Sequence, residues 1–262
     1  MITQVENPVL EIHDLTVSYE RKPVLWNIDL SIPKGSLVGI IGPNGAGKST
    51  LIKAVMGLLP LSSGYVKLLD KNLNEVRDKI SYVPQRESVD WDFPISVFEV
   101  VLMGRYGKMG LMRRPSKKDK EVALQSLEQV GMSAFASRQI SQLSGGQQQR
   151  VFLARALAQE ADLYLMDEPF VGVDAATESA IITLLRDMRA AGKTVIVVHH
   201  DLQSAAEYFD WVVLLNMRLV ASGETKTTLT PSLLEETYGG RLTVLSEVGE
   251  LLKKAQFPSR ED

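Results

Sequence analysis

The sequence predicts an α/β fold in which a largely parallel sheet is covered by helices, flanked by antiparallel β structure and interrupted by a helical insertion. Short apolar runs such as 37–41, 163–166 and 194–198 alternate with longer segments of helical periodicity, as in sheets built with crossover helices. Between about 86 and 143 helical patterns replace strand patterns. We expect one domain over residues 1–262, with this insertion at about 86–143 and a C-terminal extension at about 231–262.

Composition excludes several classes of protein. A chain of 262 residues with 45% hydrophobic and 23% charged residues can bury a core without covalent or metal staples. It has no cysteine, which excludes a disulfide framework, a thiolate zinc site, an iron–sulfur cluster and a cysteine nucleophile. The net charge of −3 argues against a whole-chain polycation built for nucleic acid but does not exclude a local basic patch; we expect no nucleic-acid partner.

Neither a transmembrane nor a secretory pattern is present in the sequence. The longest apolar stretches, such as 37–41 and 211–215, fall far short of the roughly 20 residues that a transmembrane helix needs. The first seven residues are polar and include Glu6, whereas a secretory signal combines a basic start with an apolar run. We therefore expect a cytoplasmic protein that acts at a membrane only from its surface or through a partner.

The elements predicted before the insertion are mostly strands. Residues 9–19 form the first expected strand, and 26–32 the second, because apolar and polar residues alternate there from Trp26 onward. A turn at 33–35 leads to the continuous apolar run 37–41, which is typical of a buried parallel strand. We expect a helix from 48 to about 58, followed by short strands at 64–69 and 79–83.

The remaining elements follow from helical periodicity and from the later apolar runs. Helices are predicted at 97–103 and 119–131 inside the insertion, and at 175–191 between the strands 163–166 and 194–198. A further strand is predicted at 212–215, and the charged, amphipathic tail from 247 is expected to form a short helix.

A cluster of basic residues lies in the insertion. A solvated loop is the favoured interpretation, while attraction to anionic lipid headgroups is an alternative. Binding of nucleic acid is the weakest alternative, because aromatic stacking partners are sparse there. The cluster consists of Lys108, Arg113, Arg114, Lys117, Lys118 and Lys120.

A phosphate-binding loop is predicted between the strand at 37–41 and the helix that follows it. The segment matches the pattern G-x-x-x-x-G-K-[ST], whose glycines let backbone N–H groups turn toward phosphate oxygens at a helix N-terminus. Lys48 can reach the β- and γ-phosphates of a nucleotide, and the Ser49 hydroxyl can ligate Mg²⁺. A glycine-rich turn with a chance lysine is the alternative, and the strand–loop–helix context argues against it. The residues concerned are Gly42, Pro43, Asn44, Gly45, Ala46, Gly47, Lys48, Ser49 and Thr50.

Two acidic residues follow the apolar run 163–166. Asp167 and Glu168 stand at the carboxyl end of a predicted buried strand, where ligands bind in parallel sheets. Asp167 is expected to hold Mg²⁺ through water, and Glu168 to position and polarise the attacking water. Alone the pair would be a solvated strand end; the phosphate loop favours the catalytic interpretation.

A second glycine-rich segment narrows the class. Leu143-Ser144-Gly145-Gly146-Gln147 opens an amphipathic helix and resembles the signature sequence of the ATP-binding cassette (ABC) superfamily. A serine N-cap with flexible glycines is the alternative interpretation. Ser144 and the amides of Gly145 and Gly146 would form a second anion site at a helix N-terminus. In that family this site grips the γ-phosphate bound to a partner subunit, so that two ATP molecules lie in a head-to-tail dimer.

Other residues resemble further elements of that family. Tyr19 resembles the aromatic residue that stacks on adenine, although a strand-end aromatic is the alternative. Gln85 resembles the glutamine that contacts Mg²⁺ and the attacking water, and Asp174 the aspartate of the loop that crosses the dimer interface. His200 resembles the histidine that contacts the γ-phosphate, while His199 stands where the family usually has Thr or Ser. A metal site at the two histidines is disfavoured, because side chains of consecutive strand residues diverge.

Several short segments are similar to the cassettes of manganese, zinc and iron importers. They include Pro84-Gln85-Arg86, the segments 89–94 and 103–107, and His199-His200-Asp201-Leu202. The resemblance implies an ATPase subunit that powers uptake of a divalent metal ion, with ATP and Mg²⁺ as cofactors. It also implies three partners: a second ATPase subunit, expected to be identical, a membrane permease and an extracytoplasmic metal-binding protein. The chain would then be peripheral, on the cytoplasmic face of the membrane. A cassette for another substrate, such as an iron chelate, and a non-transport cassette protein are the alternatives.

Overall fold

The structure is a computed structural model that describes residues 5–20, 22–109 and 114–239. The predicted helix from 247, most of the expected C-terminal extension and Arg113 lie outside these residues. The chain divides into two compact units, which are described separately. The first comprises Met1–Pro33, Leu37–Lys67 and Val198–Asp262, and the second comprises Lys34–Ser36 and Leu68–Val197.

The described residues contain nine strands and ten α-helices. The strands are β1 (Leu10–Tyr19), β2 (Lys22–Ile32), β3 (Leu37–Ile41), β4 (Ser63–Leu68), β5 (Ile80–Val83), β6 (Leu163–Asp167), β7 (Thr194–His199), β8 (Trp211–Asn216) and β9 (Arg218–Glu224). The helices are α1 (Lys48–Val55), α2 (Leu73–Val76), α3 (Val97–Leu102), α4 (Tyr106–Met109), α5 (Lys117–Gln129), α6 (Gly145–Ala158), α7 (Ala175–Ala190), α8 (Leu202–Tyr208), α9 (Thr225–Thr228) and α10 (Pro231–Tyr238).

In the first unit, a three-stranded sheet has the strand order β2-β1-β4, and β1 pairs antiparallel with β2. Strands β1 and β2 pair with Leu10 opposite Ile32 and Ile12 opposite Leu30, and all four side chains are buried. This sheet confirms the predicted antiparallel flank. The expected alternation from Trp26 is wrong at its first residue, because Trp26 is 50% exposed and Leu25 is buried instead. Asn27 has a φ of 49°, which breaks the two-residue period of the strand at that point.

The first unit also holds the strands that support the phosphate loop. Strand β8 pairs parallel with β3 and antiparallel with β9. All five residues of β3 are buried, as its continuous apolar run predicts. Helix α1 begins at Lys48 as expected but ends at Val55, about three residues early. Strand β9 and helices α8 and α10 were not among the predicted elements.

In the second unit, β5, β6 and β7 are successive neighbours in one sheet, and β5 pairs parallel with β6. Helices α3 and α5 pack on α6 and confirm the helical character of the insertion. Helix α5 begins two residues before the predicted start, because Ser116 caps it in a capping box with Asp119. No helix in the described parts of the chain is both long and apolar enough to cross a membrane.

Four residues of the basic cluster of the insertion lie in helices and not in a loop. Lys117, Lys118 and Lys120 lie in the first turn of α5 and are exposed, and Lys108 lies in α4. Lys108 pairs with Glu160 at 3.0 Å, and Lys117 with Glu121 at 3.9 Å. The expectation of solvated side chains therefore holds for these residues, whereas the loop conformation was wrong for these four. Arg114 is exposed and lies outside any helix, as expected.

Candidate functional site

The glycines of the predicted phosphate loop meet local requirements of the backbone. Gly47 is the N-cap of α1 and has a φ of 92°, which L side chains rarely adopt. A Cβ atom at position 42 would overlap the backbone carbonyl oxygen of Leu215. The amide of Met217 donates to the carbonyl of Ala46 at 2.9 Å, so the loop is fixed to the turn between β8 and β9. The sequence pattern thus corresponds to one defined loop conformation.

The electrostatic potential at this loop is positive. Lys48 is 6% exposed, and its Nζ donates to the carbonyl oxygens of Gly42 at 2.7 Å and of Pro43 at 3.0 Å. No acidic residue stands in the first turn of α1, so the helix N-terminus keeps its positive potential. Ser49 and Thr50 follow in that turn, while Asn44 and Gly45 are exposed at the tip. An ammonium group, a helix N-terminus and an open glycine turn together suit a polyphosphate.

The two predicted acidic residues stand at the end of β6. Asp167 is completely buried and is the last residue of the strand. Glu168 follows with a φ of 52°, in the left-handed region that costs a residue with a side chain about 1 kcal/mol or more. Gln85 Nε2 donates to Glu168 Oε2 at 2.9 Å. The structure therefore joins two residues that are 83 positions apart in the sequence.

The pKa of Tyr82 in β5 is raised by its surroundings, which include this buried acid. Burial, and secondarily the negative charge of Asp167, raise the pKa of Tyr82 to about 12. Tyr82 therefore stays protonated across the physiological pH range.

Carboxylate, hydroxyl and amide oxygens are the donor types that Mg²⁺ prefers. Asp167, Ser49 and Gln85 carry such oxygens, so the chemistry of the predicted magnesium ligands fits the ion.

The second glycine-rich segment begins a long helix. Ser144 caps α6, since its Oγ accepts from the Gln147 amide at 3.4 Å and its own amide donates to Gln147 Oε1 at 3.0 Å. Gly145 and Gly146 form the first turn of α6, which contains no acidic residue. The serine cap is compatible with a positive helix end, because the Ser144 oxygen accepts from the Gln147 amide and not from the amides of the half-buried Gly145 and Gly146.

Asp174 caps α7 next to this segment. Asp174 Oδ1 accepts from the Thr177 amide at 2.7 Å, and this hydrogen bond lowers the pKa of the carboxyl below its usual range. Thr177 Oγ1 in turn accepts from Arg150 of α6 at 2.7 Å. A Cβ on Gly146 would touch Thr177 at 3.8 Å. The Asp174 turn and the first turns of α6 are thus neighbours within the second unit.

The two adjacent histidines have different surroundings. His199 ends β7 and is 2% exposed, whereas His200 is exposed. His199 Nε2 lies 2.8 Å from Ser204 Oγ, and that hydroxyl donates to Asp201 at 2.5 Å. The described residues contain no group of three or more His, Cys, Asp or Glu side chains able to hold a metal ion.

The predicted site residues are distributed over both units. Tyr19, the phosphate loop and His200 belong to the first unit, while Gln85, the segment 144–147, Asp167, Glu168 and Asp174 belong to the second. Tyr19 ends β1 with its ring 48% exposed.

Sequence reasoning gave no role to Arg86, which hydrogen-bonds Gln148 of α6 at 3.0 Å. The sequence signals were its position directly after Gln85 and its place in the segment Pro84-Gln85-Arg86, which is similar to metal-importer cassettes.

Comparisons with known proteins give concordant results. The family profile described as ABC transporter matches residues 25–171. The manganese transport system ATP-binding protein MntB of Bacillus subtilis (strain 168) is 60% identical over 238 residues, which cover 91% of this chain and 95% of that protein. The zinc transport system ATP-binding protein TroB of Treponema pallidum (strain Nichols) is 58% identical over 234 residues, covering 89% of this chain and 88% of that protein. Among solved structures, an inward-facing metal-chelate type ABC transporter has a TM-score of 0.77 and 29% identity, covering 88% of this chain and 89% of that chain.

Proposed function

Because this chain belongs to the ABC transporter family, we propose that it is the nucleotide-binding subunit of an importer, hydrolysing ATP to power uptake of a divalent metal ion. The observation that carries the enzymatic part is the Glu168 carboxylate, held by Gln85 at 2.9 Å directly after the buried Asp167. A carboxylate held by a neutral amide, at the end of a buried strand, is suited to accept a proton from water.

The choice of metal as cargo is supported by the relatives. The two proteins named above are described as manganese and zinc transport system ATP-binding proteins, and each matches this chain at 58% identity or more. Mn²⁺, Zn²⁺ and Fe²⁺ are the cargo ions that the proposal covers. The metal-chelate type transporter among the structural neighbours supports a metal chelate, such as an iron chelate, as the second candidate cargo.

In the proposed reaction, the amides of the phosphate loop and Lys48 bind the β- and γ-phosphates of ATP, and Tyr19 stacks on the adenine. Ser49, Asp167 and Gln85 are the residues that would hold Mg²⁺. Bound Mg²⁺ supplies charge neutralisation on the transferred phosphoryl group. Glu168 orients water and accepts its proton, Gln85 keeps the carboxylate in place, and His200 contacts the γ-phosphate. Since phosphoryl transfer needs little covalent chemistry from the protein, positioning accounts for most of the rate.

The proposed partners complete the system. A second copy of this chain presents Ser144, Gly145, Gly146 and Gln147 to the ATP of the first, and Asp174 lies at the interface between the copies. A membrane permease and an extracytoplasmic metal-binding protein supply the path and the capture of the metal. The chain itself is peripheral, on the cytoplasmic face of the membrane, and has no nucleic-acid partner.

Replacing Glu168 with Gln tests the enzymatic part. The substitution keeps the shape of the side chain but removes its basicity, so turnover should fall by about 10²–10⁴-fold while ATP binding persists. Glu128→Gln is the matched control, because Glu128 lies exposed on α5 and loses the same charge. Turnover of Glu168→Gln close to that of the unmodified protein would contradict the assignment.

Uptake measurements test the cargo. In a strain that lacks this subunit, uptake of Mn²⁺, Zn²⁺, Fe²⁺ and a ferric chelate is compared with and without the restored chain. Restored uptake of one of the free ions supports the proposal. Restored uptake of the chelate alone establishes the second candidate cargo, and if uptake of none of the four is restored, both candidate cargoes are excluded.

A further inference from the structure

Arg86 stands at a junction between two parts of the proposed site. The preceding residue, Gln85, donates to Glu168 at 2.9 Å. Arg86 itself donates to Gln148 Oε1 of α6 through Nε at 3.3 Å and through Nη2 at 3.0 Å. Consecutive residues therefore contact the acid at the end of β6 and the helix that begins with Gly145.

The contact of Arg86 with α6 is made at the first turn of the helix. A Cβ on Gly145 would lie 3.1 Å from Arg86 Cζ, so only a glycine admits the guanidinium this close without displacement. Gln148, which is 4% exposed, is itself oriented by donating from Nε2 to the Ile140 carbonyl at 3.2 Å. The amide oxygen that Arg86 binds is thus held in one position.

The backbone around Arg86 is also fixed. The carbonyl of Arg86 accepts from Trp91 Nε1 at 2.9 Å, and the indole ring of Trp91 lies 4.8 Å from the ring of Phe152 on α6. The carbonyl of Gln85 accepts from Ser88 Oγ at 2.7 Å. Because both carbonyls are held, displacement of the first turn of α6 would be passed to Gln85 instead of being absorbed by a loose loop.

The charge of Arg86 argues against a role confined to stabilising α6. A cation beside a helix N-terminus is electrostatically unfavourable, whereas an acid there would stabilise the helix. Among the side chains that the structure describes, the hydrogen-bond acceptor of the guanidinium is a neutral amide and not a carboxylate. The forked geometry of the side chain, which spans Gln148 and Gly145, explains an arginine at this position better than helix stability does.

We infer that Arg86 is a positioning residue of the ATPase reaction, which couples the Gln85–Glu168 pair to the first turn of α6 through Gln148. The inference rests on the proposed function, since it assigns to Glu168 the activation of water. Through this contact, the orientation of Glu168 depends on where the first turn of α6 lies. Arg86 acts on the chemical step and leaves the binding of ATP to the phosphate loop unchanged.

Steady-state ATPase measurements on the full chain test the coupling. Arg86→Ala should lower kcat about tenfold with the KM for ATP changed less than about twofold, because an interaction that orients the base affects turnover and not ground-state binding. Gln148→Ala should show the same fall. The double variant should be no slower than the slower single variant, since both remove one contact. Arg86→Lys, which keeps the charge but not the fork, should recover part of the loss.

Controls separate this inference from the proposed function. Arg138→Ala removes an exposed guanidinium that stacks on Phe135 at 4.9 Å, and its kcat should match that of the unmodified protein. If Glu168→Gln abolishes turnover while Arg86→Ala leaves kcat unchanged, the inference fails and the proposed function stands. A double variant whose loss equals the product of the single losses also overturns the inference. If Arg86→Ala does not fold, as judged by thermal unfolding, Arg86→Lys and Gln148→Ala carry the same test. Turnover that does not depend on Glu168 removes both the function and the inference.

Discussion

His199 illustrates how burial decides the state of a single residue. Its ring is 2% exposed and lies 5.4 Å from the ring of Phe209 in an edge contact. Burial lowers the pKa of His199 to about 4; the charge of Asp201 opposes this shift, and His200 adds to it. Since the Ser204 hydroxyl donates to Asp201, it accepts from His199, so the neutral ring carries its proton on Nε2. The adjacent His200 is exposed and lacks this environment.

The first prediction concerns the stability contributed by neutral His199. The unfolded chain binds a proton at this residue near pH 6.5, whereas the folded chain binds it only near pH 4. The unfolded state therefore takes up the proton first on acidification. The free energy of unfolding falls between these two pH values, by at most about 3 kcal/mol.

Urea unfolding at pH 7 and pH 5 measures this effect. His199→Thr should lose the part of the pH dependence that belongs to His199, so its stability should fall less between the two pH values. An unchanged slope in His199→Thr would contradict the buried neutral state.

The residues of the site were predictable from sequence to different degrees. Local motifs identified the phosphate loop and the two acids at the end of β6, because their chemistry is carried by residues that are close in the chain. The Gln85–Glu168 and Arg86–Gln148 hydrogen bonds join residues 83 and 62 positions apart, and no local pattern reports such a pair. Trp26 was misplaced because the positive φ of Asn27 cannot be read from the alternation of residue types.

At the scale of elements, the hairpin of β8 and β9 explains the largest omission. Strand β9 contains Ala221, Ser222 and Gly223, all buried, in place of the large alternating side chains that a strand pattern requires. Its buried positions hold small residues, which carry little hydrophobic signal. In contrast, α3 and α5 were recognised from apolar periodicity, and both begin with a serine capping box that is visible in the sequence.

The second prediction concerns the bond that joins the two strands of this hairpin. Trp211 Nε1 of β8 donates to Ser222 Oγ of β9 at 2.9 Å, and the two residues are 8% and 1% exposed. Ser222→Ala leaves the indole N–H buried without that acceptor, so it should lower the free energy of unfolding by about 1–3 kcal/mol. Chemical denaturation followed by circular dichroism measures the loss.

A double-mutant cycle separates the contribution of the hydrogen bond from that of the change in packing. In Trp211→Phe the buried donor is absent, so the further change Ser222→Ala should cost clearly less than it does in the unmodified chain. Equal costs in the two backgrounds would show that the lost hydroxyl matters for packing and not for the bond to Trp211.

At the scale of the whole molecule, the chain carries one phosphate loop and one signature segment. Lys48 of the loop belongs to the first compact unit and Gly146 of the signature to the second. In the proposed dimer each ATP is bound by the loop of one copy and the signature of the other. If the site is built from two copies, ATPase activity depends on dimer formation. Measurements on the purified chain can test this dependence.

The third prediction is that two inactive variants complement each other. Lys48→Ala removes the ammonium that lies in the phosphate loop but leaves the signature intact. Gly146→Asp places a carboxylate in the first turn of α6, where a Cβ has ordinary contacts of 3.8 Å to Thr177 and therefore fits, and where the charge opposes phosphate binding. Each variant alone lacks a competent site. A mixed dimer has one intact loop facing one intact signature, so an equimolar mixture should regain about a quarter of the unmodified activity if the sites act independently.

The rate of ATP hydrolysis by the unmodified chain should likewise rise faster than linearly with protein concentration while the dimer is forming. Two results together would show that one chain hydrolyses ATP by itself: a mixture no more active than its components, and a rate of ATP hydrolysis strictly proportional to protein concentration.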